Sequence, residues 1–484
     1  MAHHVEHAIA LARAGKAEVD AGRVESGILA FVEALRLAPE APGILHNLAN
    51  ALLSLGRVDD ALEAAQRAHL AAPDLLPAQS NLLSILLYSP SIAPESVADA
   101  HRQWGRRYLD VERPPVPPGE RIRIGYLSSC FRQNPEYFFV EPILRSHDRT
   151  RFEIYCYSSA KRTDSFTDHL RSLADHWRDL RDLSDAEVAE LMRADALHVV
   201  ADCSGHYADS KLTALALRPA PVLVSLPTYP ATTGLPAVDF RITDTHSDPV
   251  GRAEHLYTEQ LARLPDTFVC YTPWPEYPEV GPLPADRNGF ITFGSFNRLD
   301  KLNSAVLEVW SRILHELPQA RLLIHSTFHG HADPPEEHCR ATMKLFRDRG
   351  IDPGRIEFAG ARPLFDYFDV RNRVDIALDS FPFPGLTTSC DSLWMGTPVV
   401  TLAGESHLGR TGVTLAHAVG LSDWVARDAD DYVRIAVRMS KTPARLREIK
   451  RELRDRMARS PLMDAKGYTC QLEKAYMEML DSVR

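Results

Sequence analysis

No run in this 484-residue chain approaches the ~18 consecutive apolar residues that a membrane-spanning helix needs. The first twenty residues, MAHHVEHAIALARAGKAEVD, also lack a basic segment followed by an apolar one, so no signal peptide is expected. Cysteine is sparse. The seven, at positions 130, 156, 203, 270, 339, 390 and 470, are odd in number and have no CxxC spacing. That excludes a disulfide frame or a zinc-ribbon spacing and predicts free thiols in a reducing compartment. There is no surplus of positive charge either: a formal net charge of −10 argues against a general nucleic-acid or anionic-membrane binder. GxSxG, Walker and GxGxxG elements are all missing, which weakens hydrolase, P-loop and dinucleotide-binding readings. The expectation left standing is a soluble cytoplasmic protein.

What is present is globular, with 45% hydrophobic residues and length for about three domains of roughly 100–200 residues. The first is a repeat array. A shift of 34 residues lays Gly22-Arg23-Val24-Glu25 on Gly56-Arg57-Val58-Asp59 and Ala38-Pro39-Glu40 on Ala72-Pro73-Asp74. Ala30 and Ala34 fall on Ala64 and Ala68 in the same register. Small residues where helices touch, and a proline closing the second helix, make this the tetratricopeptide pattern. Two repeats are clear, and Leu75–Leu87 begins a degenerate third that caps the array. Such an array serves either as a passive spacer or as a groove for peptide.

The four prolines of Val111–Glu120 (VERPPVPPGE) mark a linker. Beyond it, apolar runs alternate with helical patterns. Ile122–Leu127, Phe152–Tyr157, Leu197–Ala201 and Val222–Leu226 read as strands, with Thr163–Leu191 helix-like between them. A second set reads Phe290–Gly294, Arg321–Ile324, Ile356–Phe358, Asp375–Leu378 and Val399–Leu402, with helix over Ala305–Leu317. The Pro-rich span 272–288 separates the sets, and Asp430–Leu480 is amphipathic and helical. The expected fold is α/β: two doubly wound domains facing a cleft, preceded by helical repeats. The boundaries predicted are 1–110, 119–275 and 286–484.

Residues 374–404, VDIALDSFPFPGLTTSCDSLWMGTPVVTLAG, form a strand, a loop with Pro382, Pro384 and Gly385, a helix opened by Thr387-Thr388, and a second strand. A helix start with free N–H groups, a glycine and two hydroxyls suits a phosphate. Lys301, in FGSFNRLDKLN after the strand Phe290–Gly294, either neutralises a diphosphate there or is a solvated surface lysine. His206, in DCSGHYADSK after Leu197–Ala201, is a base, a substrate contact or a hydrogen-bonded loop residue. His198 reads as a satisfied sheet residue, and Ser128-Ser129 as substrate contacts or a helix cap. His3, His4 and His7 have no ligand partner nearby and read as solvated.

Together with the repeats, the segments RIRIGYLSSCF, LRPAPVLVSLPTYPATTGLPAVDFRITD, FGSFNRLDKLN and LDSFPFPGLTTSCDSLWMGTPVVTLAG resemble the O-GlcNAc transferase/SPINDLY family of glycosyltransferases, over essentially the whole chain. The resemblance implies a GT-B fold, with the acceptor side in the first α/β domain and the nucleotide-sugar donor mainly in the second. It implies inverting transfer to Ser/Thr hydroxyls of proteins, without a metal or other cofactor. By matching position, Lys301 supports the leaving diphosphate, Thr387 and Thr388 hold the pyrophosphate, and Asp391 binds the ribose. Gly385, Asn297 and Arg298 join them as donor-binding residues, and His206 matches the Gly-His of SPINDLY proteins. A protein acceptor contacted by the repeats is the implied partner.

Three positions depart from the family pattern. Asn134 stands where many relatives carry a histidine, and an amide cannot take a proton at neutral pH. Leu386 replaces the histidine of Gly-His-Thr-Thr, as in SPINDLY-type proteins, which are associated with GDP-fucose in place of UDP-GlcNAc. Thr228 replaces the glycine of Leu-Gly-Tyr-Pro and adds a side chain where the backbone approaches the sugar. The expectation is therefore a protein glycosyltransferase using a UDP-GlcNAc or GDP-fucose class donor. The rival is a repeat scaffold carrying a degenerate, inactive transferase domain.

Overall fold

The computed structural model describes residues 2–108, 111–326, 336–360 and 368–484. The repeats form helices α1 (Ala2–Asp20), α2 (Val24–Leu37), α3 (Pro42–Ser54), α4 (Val58–Ala71) and α5 (Leu76–Leu86). Gly22 and Gly56, at φ 81° and 69°, make the left-handed turns that a Cβ resists. Ala34, Ala64 and Ala68 are buried, which lets neighbouring helices approach closely. The expected third repeat is the single helix α5 followed by α6 (Pro94–Gly105). His3's side chain lies outside the described residues.

The first sheet contains β1 (Ile122–Ser128), β2 (Phe152–Ser158), β3 (His176–Asp179), β4 (Val199–Asp202), β5 (Val222–Ser225), β6 (Phe240–Asp244) and β7 (Gln260–Leu264). Their order is β3-β2-β1-β4-β5-β6-β7, every pair is parallel, and the winding reverses between β1 and β4. The second contains β8 (Thr292–Ser295), β9 (Arg321–His325), β10 (Ile356–Ala359), β11 (Ile376–Leu378), β12 (Val399–Leu402) and β13 (Val425–Ala426). It runs β10-β9-β8-β11-β12-β13, also parallel, and reverses between β8 and β11. Parallel strands are covered on both faces, which is why the central ones are nearly continuous apolar runs. A doubly wound sheet takes its ligand at the carboxyl edge where the winding reverses.

Three features differ from the expectation. The helix-like span Thr163–Leu191 is two helices, Ser165–Leu173 and Asp185–Ala194, around β3. That strand, His-Trp-Arg-Asp, pairs only with β2 and is partly exposed, so its residues carry no buried-strand signature. Strands β6, β7 and β13 were not foreseen; β6 and β7 are interrupted by polar side chains and β13 has two residues.

The third difference is the grouping. The chain packs as two compact units, neither of them a continuous block. One comprises Met1–Ile92, Pro275–Gly404 and Gly420–Arg456; the other Ala93–Trp274, Glu405–Val419 and Met457–Arg484. Helix α6, expected with the repeats, belongs to the second of these. Its Trp104 and His101 are buried, and a Cβ on Gly105 would lie 1.8 Å from the Gly234 carbonyl oxygen. The last helix, Ala465–Ser482, joins the same unit: Tyr468, Leu472, Tyr476 and Leu480 pack into the core of the first sheet. The helix His407–Ala418 does so through Thr414, whose hydroxyl donates to Asp244, and His407, 2.8 Å from Asp248. Among the described residues no helix is long and apolar enough to cross a membrane, and the seven cysteines form no disulfide.

Candidate functional site

At the carboxyl edge of the second sheet, β8 and β11 are direct neighbours, so the loops that follow them emerge side by side. Asp379, the first residue beyond β11, organises both. Its Oδ1 accepts from Gly385 N–H at 2.7 Å and from Asn297 Nδ2 at 3.3 Å, and its Oδ2 accepts from Thr401 Oγ1 at 3.2 Å. Burial pushes the carboxyl up to about 6, against the pull of Gly385 N–H, Lys301, Asn297 and Thr401. Asp379 was not singled out in the sequence. The signal available was an acidic residue closing an apolar strand just before FPFPG.

Lys301 ends a short turn, Leu299–Lys301, after β8. Its Nζ donates to the Pro384 carbonyl at 2.9 Å and sits 4.1 Å from the centre of the Phe383 ring. Desolvation brings the ammonium down to about 8, opposed by Asp300 and Asp379. Gly385 is tightly enclosed: a Cβ there would lie 2.2 Å from Thr388 Oγ1 and 2.9 Å from both Asn297 Oδ1 and Ser389 Oγ. Thr388 Oγ1 is 3.5 Å from Asn297 Oδ1. Thr387 opens the helix Thr387–Trp394, and Leu386 before it supplies no side-chain cap. The structure thus gathers Lys301, Asn297, Gly385 and Thr388 around one loop, with Thr387 at the helix start. Such an arrangement of a cation, hydroxyls and N–H groups can hold a diphosphate and support charge developing on it. Asp391, on the same helix, is buried and accepts from Arg371 at 3.0 Å, beneath Phe296. Arg298 is largely exposed and pairs with Asp300.

The carboxyl edge of the first sheet has a similar hinge in Asp202, at the end of β4. It accepts from Gly205 N–H at 2.7 Å and Ser204 N–H at 3.3 Å, and burial raises it to about 6. Gly205 has φ 49°, and a Cβ on it would meet the Tyr229 ring at 2.4 Å. His206 follows and is buried, edge-on to Trp104 with centroids 4.4 Å apart. Its Nε2 is 2.8 Å from the Thr233 carbonyl, to which it donates, so Nδ1 is the acceptor; Nδ1 has no hydrogen-bond partner among the described residues. Burial depresses this imidazole to about 3, with His101 adding to the shift. Thr228 is held by its own hydroxyl, which donates to the Cys203 carbonyl. Asn134 Oδ1 accepts from Glu136 N–H at 3.0 Å, forming a local turn. His198 is the satisfied residue expected, its Nδ1 accepting from Arg123 N–H at 3.1 Å.

Two parallel, doubly wound sheets after a helical repeat region define a GT-B fold. The chain belongs to glycosyl transferase family 41, whose model matches residues 106–273 and 282–472; a tetratricopeptide-repeat model matches 18–86. It is 36% identical over 421 residues to the probable UDP-N-acetylglucosamine–peptide N-acetylglucosaminyltransferase SPINDLY of Petunia hybrida, covering 84% of this chain and 44% of that protein. The UDP-N-acetylglucosamine–peptide N-acetylglucosaminyltransferase of Caenorhabditis elegans is 25% identical over 488 residues, 77% of this chain and 42% of that one. Among solved structures, a lysine-to-methionine variant of the Thermobaculum terrenum O-GlcNAc transferase superposes with a TM-score of 0.89 at 36% identity, covering 98% of this chain and 91% of that one. The chain spans less than half the length of these curated relatives. Among the described residues no group of three or more His, Cys, Asp or Glu is arranged to hold a metal ion.

Proposed function

We propose that this chain is a glycosyltransferase that moves a sugar from a nucleotide-sugar donor, of the UDP-GlcNAc or GDP-fucose class, to Ser/Thr hydroxyls of a protein. The observation that carries this reading is the cradle at the β8/β11 edge, in a chain of family 41: Lys301 fixed over Phe383, with Gly385, Thr388 and Asn297 on the same loop system. In this reading the acceptor hydroxyl attacks the anomeric carbon in line and the nucleoside diphosphate departs with the bonding electron pair. Lys301 and the Thr387/Thr388 helix start stabilise its charge. Asp391 binds the ribose by exchanging its Arg371 partner or sharing it, and Asn297 and Arg298 complete the donor contacts. His206 takes part only through Nδ1, since Nε2 is committed to Thr233. The tetratricopeptide helices contact the protein acceptor, and no cofactor beyond the nucleotide sugar is required.

Thermal-shift screening with UDP, GDP and their sugars tests the donor, because ligand at 100 times its Kd stabilises by about 2.7 kcal/mol. One nucleotide series should raise the melting temperature, and its sugar should support transfer to a Ser/Thr peptide. Lys301→Ala should lower kcat by roughly 10²–10³-fold or more while the circular dichroism spectrum is unchanged. Full activity in that variant would remove Lys301 from the mechanism, and no shift with any nucleotide would favour the scaffold reading.

A further inference from the structure

The repeats and the Lys301 cradle belong to the same compact unit, and the two are in direct contact. Tyr88, just past the repeat helix α5, meets the Phe383 ring with centroids 4.8 Å apart. That is the ring over which Lys301 Nζ sits at 4.1 Å. The turn at Gly56, between α3 and α4, packs on the segment that carries Lys301. A Cβ on Gly56 would lie 3.0 Å from the Leu302 carbonyl oxygen and 3.6 Å from that of Leu299. Leu299 and Leu302 bracket Lys301 and are themselves buried. A third contact anchors the same end of the array: the Ser54 carbonyl accepts from His338 Nε2 at 2.8 Å. His338 is buried on the helix Glu336–Asp348, next to the second sheet in the chain.

We propose that the end of the repeat array is a positioning element of the donor site. Tyr88 acts through Phe383, and the Gly56 turn through Leu299 and Leu302, to hold the Lys301 ammonium where the diphosphate takes its charge. This rests on the glycosyltransferase reading. Lysine is a point charge on a flexible stem, so its position must be fixed by what surrounds it. The Pro384 carbonyl accepts from Nζ at 2.9 Å, and the face of Phe383 attracts the cation. Tyr88 in turn holds the Phe383 ring by aromatic packing. The repeats therefore do more than offer a surface to an acceptor. By linkage, nucleotide binding and the seating of the array on this loop favour each other.

The charged groups that face Lys301 are Asp300 and Arg298 on its own turn and Asp379 beyond β11. Desolvation outweighs them and brings the ammonium down to about 8. What the repeats add is cover, over the two leucines and the ring around it. Removing the Tyr88 side chain opens that cover to water, so the ammonium should move back toward its ordinary 10.5.

The test uses the full chain and isothermal titration with UDP and with GDP, one of which wild type should bind. Tyr88→Ala should weaken that binding about two- to tenfold with an unchanged circular dichroism spectrum. Its affinity should also persist to higher pH than the wild-type loss near 8. Tyr88→Phe, which keeps the ring, should bind as wild type does. In turnover, Tyr88→Ala should lower kcat and leave KM for an acceptor peptide unchanged. Wild-type affinity in Tyr88→Ala, or a loss that Tyr88→Phe shares in full, overturns the proposal and leaves the transferase reading intact. So does an alkaline limb still near pH 8 in Tyr88→Ala, or a defect confined to the acceptor KM. A wild-type chain that binds neither nucleotide defeats both, and is recognised before any variant is compared.

Discussion

The two carboxyl edges solve the same backbone problem and set different side chains beside it. In each, a buried aspartate at a strand end accepts a 2.7 Å bond from a glycine N–H and folds the following loop: Asp379 with Gly385, Asp202 with Gly205. In each, burial raises that aspartate to about 6. The difference is what lies beside it. Lys301 faces Asp379, and a cation in a desolvated loop attracts phosphate. Beside Asp202 stand Ser204 and His206, whose imidazole burial keeps neutral. A shared scaffold therefore fixes position, and the sign of the neighbouring charge decides what each edge can do.

The sharpest way to break this comparison is to remove the two aspartates in turn. Asp379→Ala leaves Gly385 N–H, Asn297 and Thr401 without their acceptor. It should cost about 3 kcal/mol in urea unfolding and abolish the nucleotide thermal shift. Asp202→Ala should destabilise by about 2 kcal/mol yet keep the nucleotide shift. Equal losses of nucleotide binding in both variants would end the division of labour.

The paired glycines sharpen it further. Gly385→Ala drives a methyl into Thr388, Asn297 and Ser389, so nucleotide affinity should fall about tenfold with a modest change in stability. Gly205→Ala adds strain at positive φ and meets Tyr229, so stability should fall by about 1–3 kcal/mol while isothermal titration finds nucleotide affinity unchanged.

The smallest effect expected is a pH dependence. The aspartates bind more protons folded than unfolded between their ordinary value near 3.8 and about 6. Stability should therefore decline as pH rises through that window and then level. Asp202→Asn should flatten part of the decline in unfolding midpoints measured from pH 4 to 7. Lys301, lowered to about 8, loses its charge as pH rises through that value. Nucleotide affinity should weaken above pH 8, and a Lys301→Met variant should lack this limb.

Much of this was legible in the chain. The 34-residue repeat, the apolar strands and the Thr387-Thr388 helix start are local patterns, and the matching elements formed within a few residues of where the periodicity put them. Asp379, which holds the Gly385 loop, was not legible in the sequence. It is one carboxylate among 65 acidic residues, and what distinguishes it is burial and partners such as Asn297, supplied from 82 positions away. Helix α6 misled for a related reason: it continues the helical rhythm of the repeats, while its allegiance comes from Trp104, His101 and Gly105 meeting residues more than 100 positions later.

The sequence by itself determined most of the elements, the family pattern and the strand–loop–helix of residues 374–404, because periodicity and turn chemistry act over a few neighbouring residues. Only the tertiary structure decided which groups share an edge and which charge each one feels. Lys301 reaches Pro384 across 83 positions, and Ser128 meets Ser204 across 76. Desolvation and proximity exist only once the strands lie side by side, and they are what shift a lysine such as Lys301 or an aspartate such as Asp379 from its ordinary protonation.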